Sequence, residues 1–195
     1  MKYGKRLRNE VERSFPEWGG NFISYKQLKK QLNLIDPLSR PRKRSRISIG
    51  DIFDAGNGRD DVNSMRVNVG FTTLLGDELQ KVNTFYIDKE EDYIIRLKEL
   101  QDMEANLSCH REMLNLQKDI LEFHAEMVQL LRYIVLNSTG FVKIVKKHKK
   151  RSGSLIHISL MPRVLEQPIF STGLLYKLMK ECEAMLYRLF LDDEP

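Results

Sequence analysis

Residues 111–136 read REMLNLQKDILEFHAEMVQLLRYIVL, and this stretch decides the fold class. Its apolar side chains recur every three or four positions, the spacing that places side chains on one face of an α-helix. Residues 69–107 carry a second such stripe, which runs from Phe71 to Leu100. Two long amphipathic helices with a short joint between them pack antiparallel. We therefore predict an all-α fold built around a helical bundle.

The chain before this bundle is expected to form an N-terminal helical hairpin over residues 1–35. The first helix covers 2–15, and the second runs from Tyr25 to about Ile35 with Ser24 as its N-cap. Both helices carry apolar residues at helical spacing and a polar opposite face. The hairpin therefore has one face that it can bury against the bundle.

Residues 36–68 are predicted to be a flexible basic linker because they are rich in proline and glycine and poor in large apolar side chains. The run at 40–46 reads Arg-Pro-Arg-Lys-Arg-Ser-Arg. Such a run suits a nuclear localisation signal or a nucleic-acid patch, and it is equally compatible with a solvated loop. The sequence leaves these alternatives open.

The bundle is predicted to extend over residues 69–191, within a single domain of residues 1–195. The sequence Asn137-Ser-Thr-Gly140 is expected to interrupt the second long helix, which restarts as a basic helix over 141–151. A last helix ends near Leu191, and its predicted apolar face consists of Leu174, Leu178, Cys182, Met185 and Leu189. The two cysteines, Cys109 and Cys182, lie in apolar segments, so both are expected to be buried thiols.

The composition excludes several classes of protein. The chain has 195 residues and a net charge of +5, but residues 1–50 carry a balance of +9, residues 51–140 of −8 and residues 141–195 of +4. If the two basic ends meet in space, they form one anion site. No apolar run is long enough for a transmembrane helix, and no secretory signal opens the chain, so we expect an intracellular protein. The scattered histidines and the absence of nucleophile or phosphate-loop motifs predict no metal site, no cofactor and no enzyme.

The basic helix over 141–151 concentrates its positive charges on one face, which solubility alone does not require. At 100° per residue, five cations of the 141–151 helix fall within an arc of roughly 140°. These cations are Lys143, Lys146, Lys147, Lys150 and Arg151. Lys149 falls outside the arc, and Phe141, Ile144 and Val145 point towards the core. Because like charges at this spacing repel each other, the row indicates a polyanionic partner.

The second helix offers a matching half. Tyr25 and Lys29 stand at i and i+4 on one face, and a phenol hydroxyl and an ammonium can together hold one phosphate. The helix N-terminus near Ser24 would add backbone N–H donors. Lys2 and Lys5 can join if the hairpin folds back. The alternative is that Tyr25 packs on the core and the lysines are solvated.

Four segments carry a family resemblance. MKYGKRLRNEVERSFPEW at 1–18, ISYKQLKKQL at 23–32 and FVKIVKKHKKRSG at 141–153 resemble an SPX domain. LEQPIFSTGLLYKLMKECEAML at 165–186 resembles the C-terminal part of this domain in plant stand-alone SPX proteins. The resemblance covers nearly the whole chain apart from the 36–68 linker. It departs from the family at Lys149, where an acidic residue is common.

The resemblance implies a phosphate-status sensor that binds inositol polyphosphates and pyrophosphates, inositol hexakisphosphate among them. The family's phosphate-binding cluster matches Tyr25, Lys29 and Lys147, its lysine surface cluster matches Lys143, Lys146 and Lys150, and its N-terminal lysine matches Lys2. In plants it further implies ligand-dependent capture of MYB-type phosphate-starvation transcription factors, which blocks their binding to DNA. The expected location is the nucleus, the cytoplasm or both, with no membrane and no direct DNA contact.

Two other classes of function remain open from the residues alone. A basic nucleic-acid-binding protein is compatible with the high isoelectric point and the 40–46 run, although aromatic residues do not interleave with the basic stretches. A ligand-independent helical scaffold is compatible with the bundle. A nucleic-acid-binding protein should prefer a long duplex to a small polyphosphate in a competition experiment. A ligand-independent scaffold should keep its function when the lysines from Lys143 to Lys150 are replaced.

Overall fold

The structure is a computed structural model that describes the backbone of residues 2–35, 57–152 and 154–191. It describes the side chains of residues 2–35, 66–151 and 160–191. The regular structure within these residues is helical, which confirms the all-α class. The six α-helices found there are α1 (Tyr3–Ser14), α2 (Tyr25–Leu34), α3 (Asn57–Ala105), α4 (His110–Ser152), α5 (Ser154–Leu165) and α6 (Gly173–Leu191).

Helix α3 starts earlier than the sequence pattern predicted. It begins at Asn57, so the linker prediction of 36–68 is wrong over residues 57–68. Gly58 lies in the first turn, where backbone N–H groups have no partner within the helix and glycine interrupts nothing. No glycine or proline follows between 59 and 69. Once α3 has formed after residue 69, adding turns towards its N-terminus therefore meets no helix-breaking residue.

Residues 36–56 lie outside the described residues, and so does the basic run 40–46. Whether that run is a linker, a localisation signal or a nucleic-acid patch stays a prediction. Among the helices that the structure describes, none combines the length and the apolarity of a membrane-spanning segment.

The predicted break between the second long helix and the basic helix is absent, and α4 runs through it without interruption. The side-chain amide of Asn137 donates a hydrogen bond to the carbonyl of Tyr133 (2.9 Å), so this residue bonds back within the helix. The hydroxyl of Ser138 lies 3.4 Å from the carbonyl of Val135. Gly140 is buried against neighbouring side chains. Local hydrogen bonds and burial thus override the weak helix propensity of these residues.

The chain divides into two compact units, one of residues 1–80 and 139–166 and the other of residues 81–138 and 167–195. Helices α3 and α4 each contribute residues to both units. The prediction of one domain over 1–195 stays a prediction. The first unit holds the hairpin, the start of α3, the end of α4 and α5. Its buried apolar side chains are Leu7, Phe15, Phe22, Ile23, Tyr25, Leu28, Leu32, Ile35, Phe71, Leu75, Phe141, Ile144, Val145 and Val164.

In the second unit α3 and α4 pack antiparallel, as predicted. The hydroxyl of Tyr133 donates to the carbonyl of Val82 (3.3 Å), and the ring of Tyr93 meets the ring of Phe123 edge-on with centroids 5.3 Å apart. In these contacting pairs the residue number on α4 decreases as the residue number on α3 increases, so the two helices run in opposite directions. Helix α6 completes this unit, and the buried side-chain amide of Gln117 donates to its backbone (3.2 Å).

Two details of the predicted core are corrected by the structure. Leu175 is fully buried on α6, whereas Leu174 is 40% exposed, because the buried face follows positions 175, 178 and 182. Cys182 is buried as expected, and burial raises the pKa of its thiol to about 12. Cys109 is exposed because it lies in the turn before α4 and not on an apolar face.

Candidate functional site

A cavity of 880 Å³ lies between the two helices of the hairpin. Its lining includes Lys2, Tyr25, Lys29 and Lys147, so the structure brings together four of the seven residues predicted for the site. Lys5, Arg8 and Lys26 also line it, while Glu12 is the one carboxylate among the lining residues. Six cations against one acid give the cavity a strongly positive field.

Two lysines of α4 and two tyrosines of the hairpin meet beside the cavity. The Nζ atom of Lys143 lies 4.4 Å from the centroid of the Tyr3 ring, and the Nζ atom of Lys147 lies 5.4 Å from that of Tyr25. The two rings meet edge-on with centroids 4.9 Å apart. Each ammonium is therefore held over an aromatic face, which orients it without cancelling its charge.

Tyr3 is a residue of this site that the sequence analysis missed. It stands four residues before Leu7, on the apolar stripe that continues to Val11, so its spacing was a signal available in the sequence. Burial raises the pKa of the Tyr3 phenol well above its ordinary value. The ring therefore stays neutral and acts by packing between Lys143 and Tyr25.

The hydroxyl of Tyr25 is buried and has no hydrogen-bond partner among the described residues. The side chain as a whole is 4% exposed, so it packs on the core and also lines the cavity. The packing of Tyr25 on the core is therefore observed, while phosphate binding by Tyr25 and Lys29 stays a prediction. A buried polar group without a partner is costly, so this hydroxyl is a candidate contact for a ligand.

The remaining predicted lysines lie on the outer surface of α4. Lys143, Lys146 and Lys150 are exposed and do not line the cavity. Lys143 is linked to it through the ring of Tyr3. On the opposite face Phe141 and Ile144 are fully buried, as the helical wheel predicted. The lysines of α4 therefore extend the positive surface beyond the cavity.

Three backbone N–H groups at the N-terminus of α2 already have partners within the protein. Ser24 occupies the N-cap position but makes no side-chain capping bond, and its backbone N–H donates to a carboxylate oxygen of Glu78 (2.7 Å). The N–H of Tyr25 donates to the carbonyl of Ile23, and that of Gln27 to Ser24 (both 2.8 Å). The expectation of backbone donors for a ligand is therefore wrong at these three positions.

Arg151 also differs from its place on the helical wheel. Its guanidinium donates to the backbone carbonyl of Leu32 (2.8 Å), near the C-terminal end of α2. It is absent from the cavity lining. The cationic row thus separates into lysines that face solvent or the cavity and an arginine that binds the protein backbone.

Two glycines allow the hairpin to approach its neighbours closely. A Cβ atom at Gly4 would lie 3.1 Å from the ring of Tyr25, and one at Gly140 would lie 3.1 Å from the side chain of Ile23 and 3.2 Å from the hydroxyl of Tyr3. These contacts are tighter than nearly all that real Cβ atoms make. The absence of a side chain at both positions is therefore part of how α1 and α4 enclose the site.

We expect Gly140→Ala to gain none of the stability that alanine usually brings to a helix. Replacing an interior glycine by alanine is worth about 1 kcal/mol where the space is open. Gly76 on α3 offers such a matched control, since a Cβ atom at this position would have no neighbour within 4 Å. Urea unfolding should show Gly76→Ala more stable than the wild type and Gly140→Ala equal to it or less stable. An equal gain in both variants would contradict the close packing at Gly140.

Comparisons with known proteins place the chain in a family. The family model of the SPX domain matches residues 103–164. SPX domain-containing protein 1 of Arabidopsis thaliana is 46% identical over 197 residues, which cover 100% of this chain and 73% of that protein. The chain belongs to the SPX domain family. SPX domain-containing protein 2 of the same plant is 47% identical over 194 residues, covering 97% of this SPX chain but only 66% of the relative.

A solved SPX domain shares the fold. It is the SPX domain of glycerophosphodiester phosphodiesterase 1 from Chaetomium thermophilum in complex with inositol hexakisphosphate. The TM-score is 0.71 with 24% identity, and the superposition covers 97% of this chain and 99% of the other. The resemblance inferred from the four sequence segments is confirmed.

The family model covers only part of the site in this SPX domain. Residues 103–164 contain the α4 lysines, but Tyr25 and Lys29 on the hairpin lie outside that range. The alignment with the first Arabidopsis relative covers the hairpin as well. The two halves of the site are thus both contained in the region that resembles other SPX proteins.

Proposed function

We propose that this SPX domain binds inositol polyphosphates in the hairpin cavity, with inositol hexakisphosphate or an inositol pyrophosphate as ligand. One observation carries the proposal: among the described residues, six cations, one carboxylate and a buried phenol hydroxyl without a partner line a single cavity. The inositol hexakisphosphate complex of the solved SPX domain supports the same ligand class. The protein acts by binding and not by catalysis.

The lining residues bind such a ligand through different kinds of contact. Lys2, Lys29 and Lys147 act as point charges on separate phosphates, because an ammonium has three donors and no fixed plane. Tyr25 donates its hydroxyl to a phosphate oxygen and so gains a partner that no described residue of the free protein provides. Phosphates outside the cavity are met by the exposed lysines of α4, which are Lys143, Lys146 and Lys150.

The number of cations makes the site selective for polyanions. An exposed lysine–phosphate pair contributes about 1 kcal/mol or less in salt. Several pairs on one ligand can still reach micromolar affinity, which is about −8 kcal/mol. Orthophosphate engages only a few of them. The backbone N–H of Ser24, at the N-terminus of α2, is already bonded to Glu78 and does not compensate for the missing contacts.

We further propose that the liganded protein captures a MYB-type phosphate-starvation transcription factor and inhibits its binding to DNA, in the nucleus, the cytoplasm or both. The similarity to plant SPX domain-containing proteins motivates this partner. Ligand and partner must then raise each other's affinity by the same factor. A ligand affinity that stays constant when the transcription factor is added would remove this part of the proposal.

The proposed ligand class is tested by calorimetric titration of the folded protein with inositol hexakisphosphate at two salt concentrations. We expect micromolar binding that weakens as salt rises, since exposed charges are screened. Orthophosphate at the same total phosphate should bind at least about a hundredfold more weakly, because it meets fewer of the cations. The absence of inositol hexakisphosphate binding by folded protein would overturn the proposal.

A DNA duplex in the same experiment separates the alternative functions. A nucleic-acid-binding protein should prefer the long duplex and release the small polyphosphate in competition. A ligand-independent scaffold should bind neither. We expect inositol hexakisphosphate to win the competition, because six of the cations converge on one cavity.

A further inference from the structure

Helix α2 is held at both ends by side chains of opposite charge. At its N-terminus the carboxylate of Glu78, from α3, accepts the backbone N–H of Ser24 at 2.7 Å. Near its C-terminus the guanidinium of Arg151, from α4, donates to the carbonyl of Leu32 at 2.8 Å. Negative charge suits the N-terminus of a helix and positive charge its C-terminus. The two contacts therefore fix α2 both along its axis and against its neighbours.

The second of these contacts couples the two halves of the candidate site. Arg151 stands four residues after Lys147, so one turn of α4 carries both the lysine that lines the cavity and the arginine that holds α2. Tyr25 and Lys29 lie on the helix that Arg151 holds. A hydrogen bond made outside the cavity thus joins the helix of Tyr25 and Lys29 to the helix of Lys147.

We infer that Arg151 is a positioning residue: it acts on ligand binding by holding α2 against α4 and does not contact the ligand. The inference rests on the proposed function. It gives Arg151 a structural role in ligand binding, although its charge alone would suggest a direct contact with the ligand. Arg151 is missing from the cavity lining, and a backbone carbonyl takes its guanidinium. Loss of this contact leaves the lysines in place but lets the two helices shift.

Arg151→Gln tests this inference against a matched control. Lys149→Gln removes the same charge from the same turn, and Lys149 is exposed and does not line the cavity. We measure inositol hexakisphosphate affinity by calorimetry for both variants and the wild type, at low salt and at about 0.5 M salt, where charges beyond a few ångströms are screened. Arg151→Gln should bind about tenfold more weakly, as expected for a lost hydrogen bond to a charged group. That ratio should persist at high salt, while Lys149→Gln should approach the wild type.

The variant Arg151→Lys separates the hydrogen bond from the charge. It keeps the cation and can donate one hydrogen bond, so it should recover most of the affinity and remain folded even if Arg151→Gln unfolds. Equal losses for Arg151→Gln and Lys149→Gln that vanish at high salt would show that Arg151 acts through charge alone and would overturn the inference. A salt dependence reduced as much as in Lys147→Ala would show direct ligand contact and would overturn it too. No binding by the wild type would instead mean that the proposed function fails.

Discussion

Lys147→Ala should lower the affinity for inositol hexakisphosphate by at least about tenfold, the largest effect we expect from any single lysine. Lys147 is the one residue of α4 that lines the cavity, and its ammonium sits over the ring of Tyr25. Removing it takes away a charge at the point where α4 meets the hairpin. It also removes the cation that lies over the Tyr25 ring. Calorimetry at two salt concentrations measures the loss and its salt dependence.

Lys149→Ala is the control for this prediction. It changes the net charge by the same amount and affects an exposed residue two positions away on the same helix. Its affinity should stay within about twofold of the wild type, because a solvated cation outside the site is largely screened. Equal losses in the two variants would show that the net charge of the helix, and not the cavity, binds the ligand.

Tyr25→Phe should weaken ligand binding about tenfold while leaving the free protein as stable as the wild type or more stable. The hydroxyl is buried and lacks a partner among the described residues, so its removal relieves a desolvation cost of about 1–3 kcal/mol. In the complex the same hydroxyl is proposed to donate to a phosphate, and phenylalanine cannot do so. Urea unfolding of the free protein and calorimetric titration measure the two effects separately.

Tyr176→Phe provides the matched control, since this tyrosine is 54% exposed on α6 and does not line the cavity. Neither its stability nor its affinity should change by a measurable amount. A loss of stability in Tyr25→Phe would show that the hydroxyl is hydrogen-bonded in the free protein. An unchanged affinity would remove the phenol from the ligand contacts. Opposite signs of the two effects are expected because a binding site keeps polar groups ready for a partner that is absent from the free state.

The features that could be read from the sequence are those with a regular spacing. The apolar period of 3.6 residues identified the long helices and the hairpin, and it correctly placed Phe141, Ile144 and Val145 in the core. The rule that glycine and short polar residues end a helix was less successful. Gly58 and Gly140 were interpreted as parts of a linker and a break, yet both lie inside helices. Local propensity is a weak preference, and packing of neighbouring turns overrides it.

The site was predictable as a set of residue types but not as a geometry. Tyr25 and Lys29 were paired by their spacing, whereas the contact between Lys143 and Tyr3 joins residues 140 positions apart that no local rule connects. Arg151 was placed among the ligand-facing cations because a helical wheel shows only the direction in which a side chain leaves its own helix. It does not show which residues of other helices lie in that direction. The carbonyl of Leu32 that it binds lies on another helix.

The sequence by itself determined the helical class and the separation of charge into basic ends and an acidic middle. These follow from periodicity and composition, which are properties of the chain before it folds. The tertiary structure decided which cations share a cavity, which one binds backbone instead, and that the hydroxyl of Tyr25 is buried without a partner among the described residues. The reason is physical: hydrogen bonding and desolvation act over a few ångströms, and only the folded chain sets which distant residues come that close.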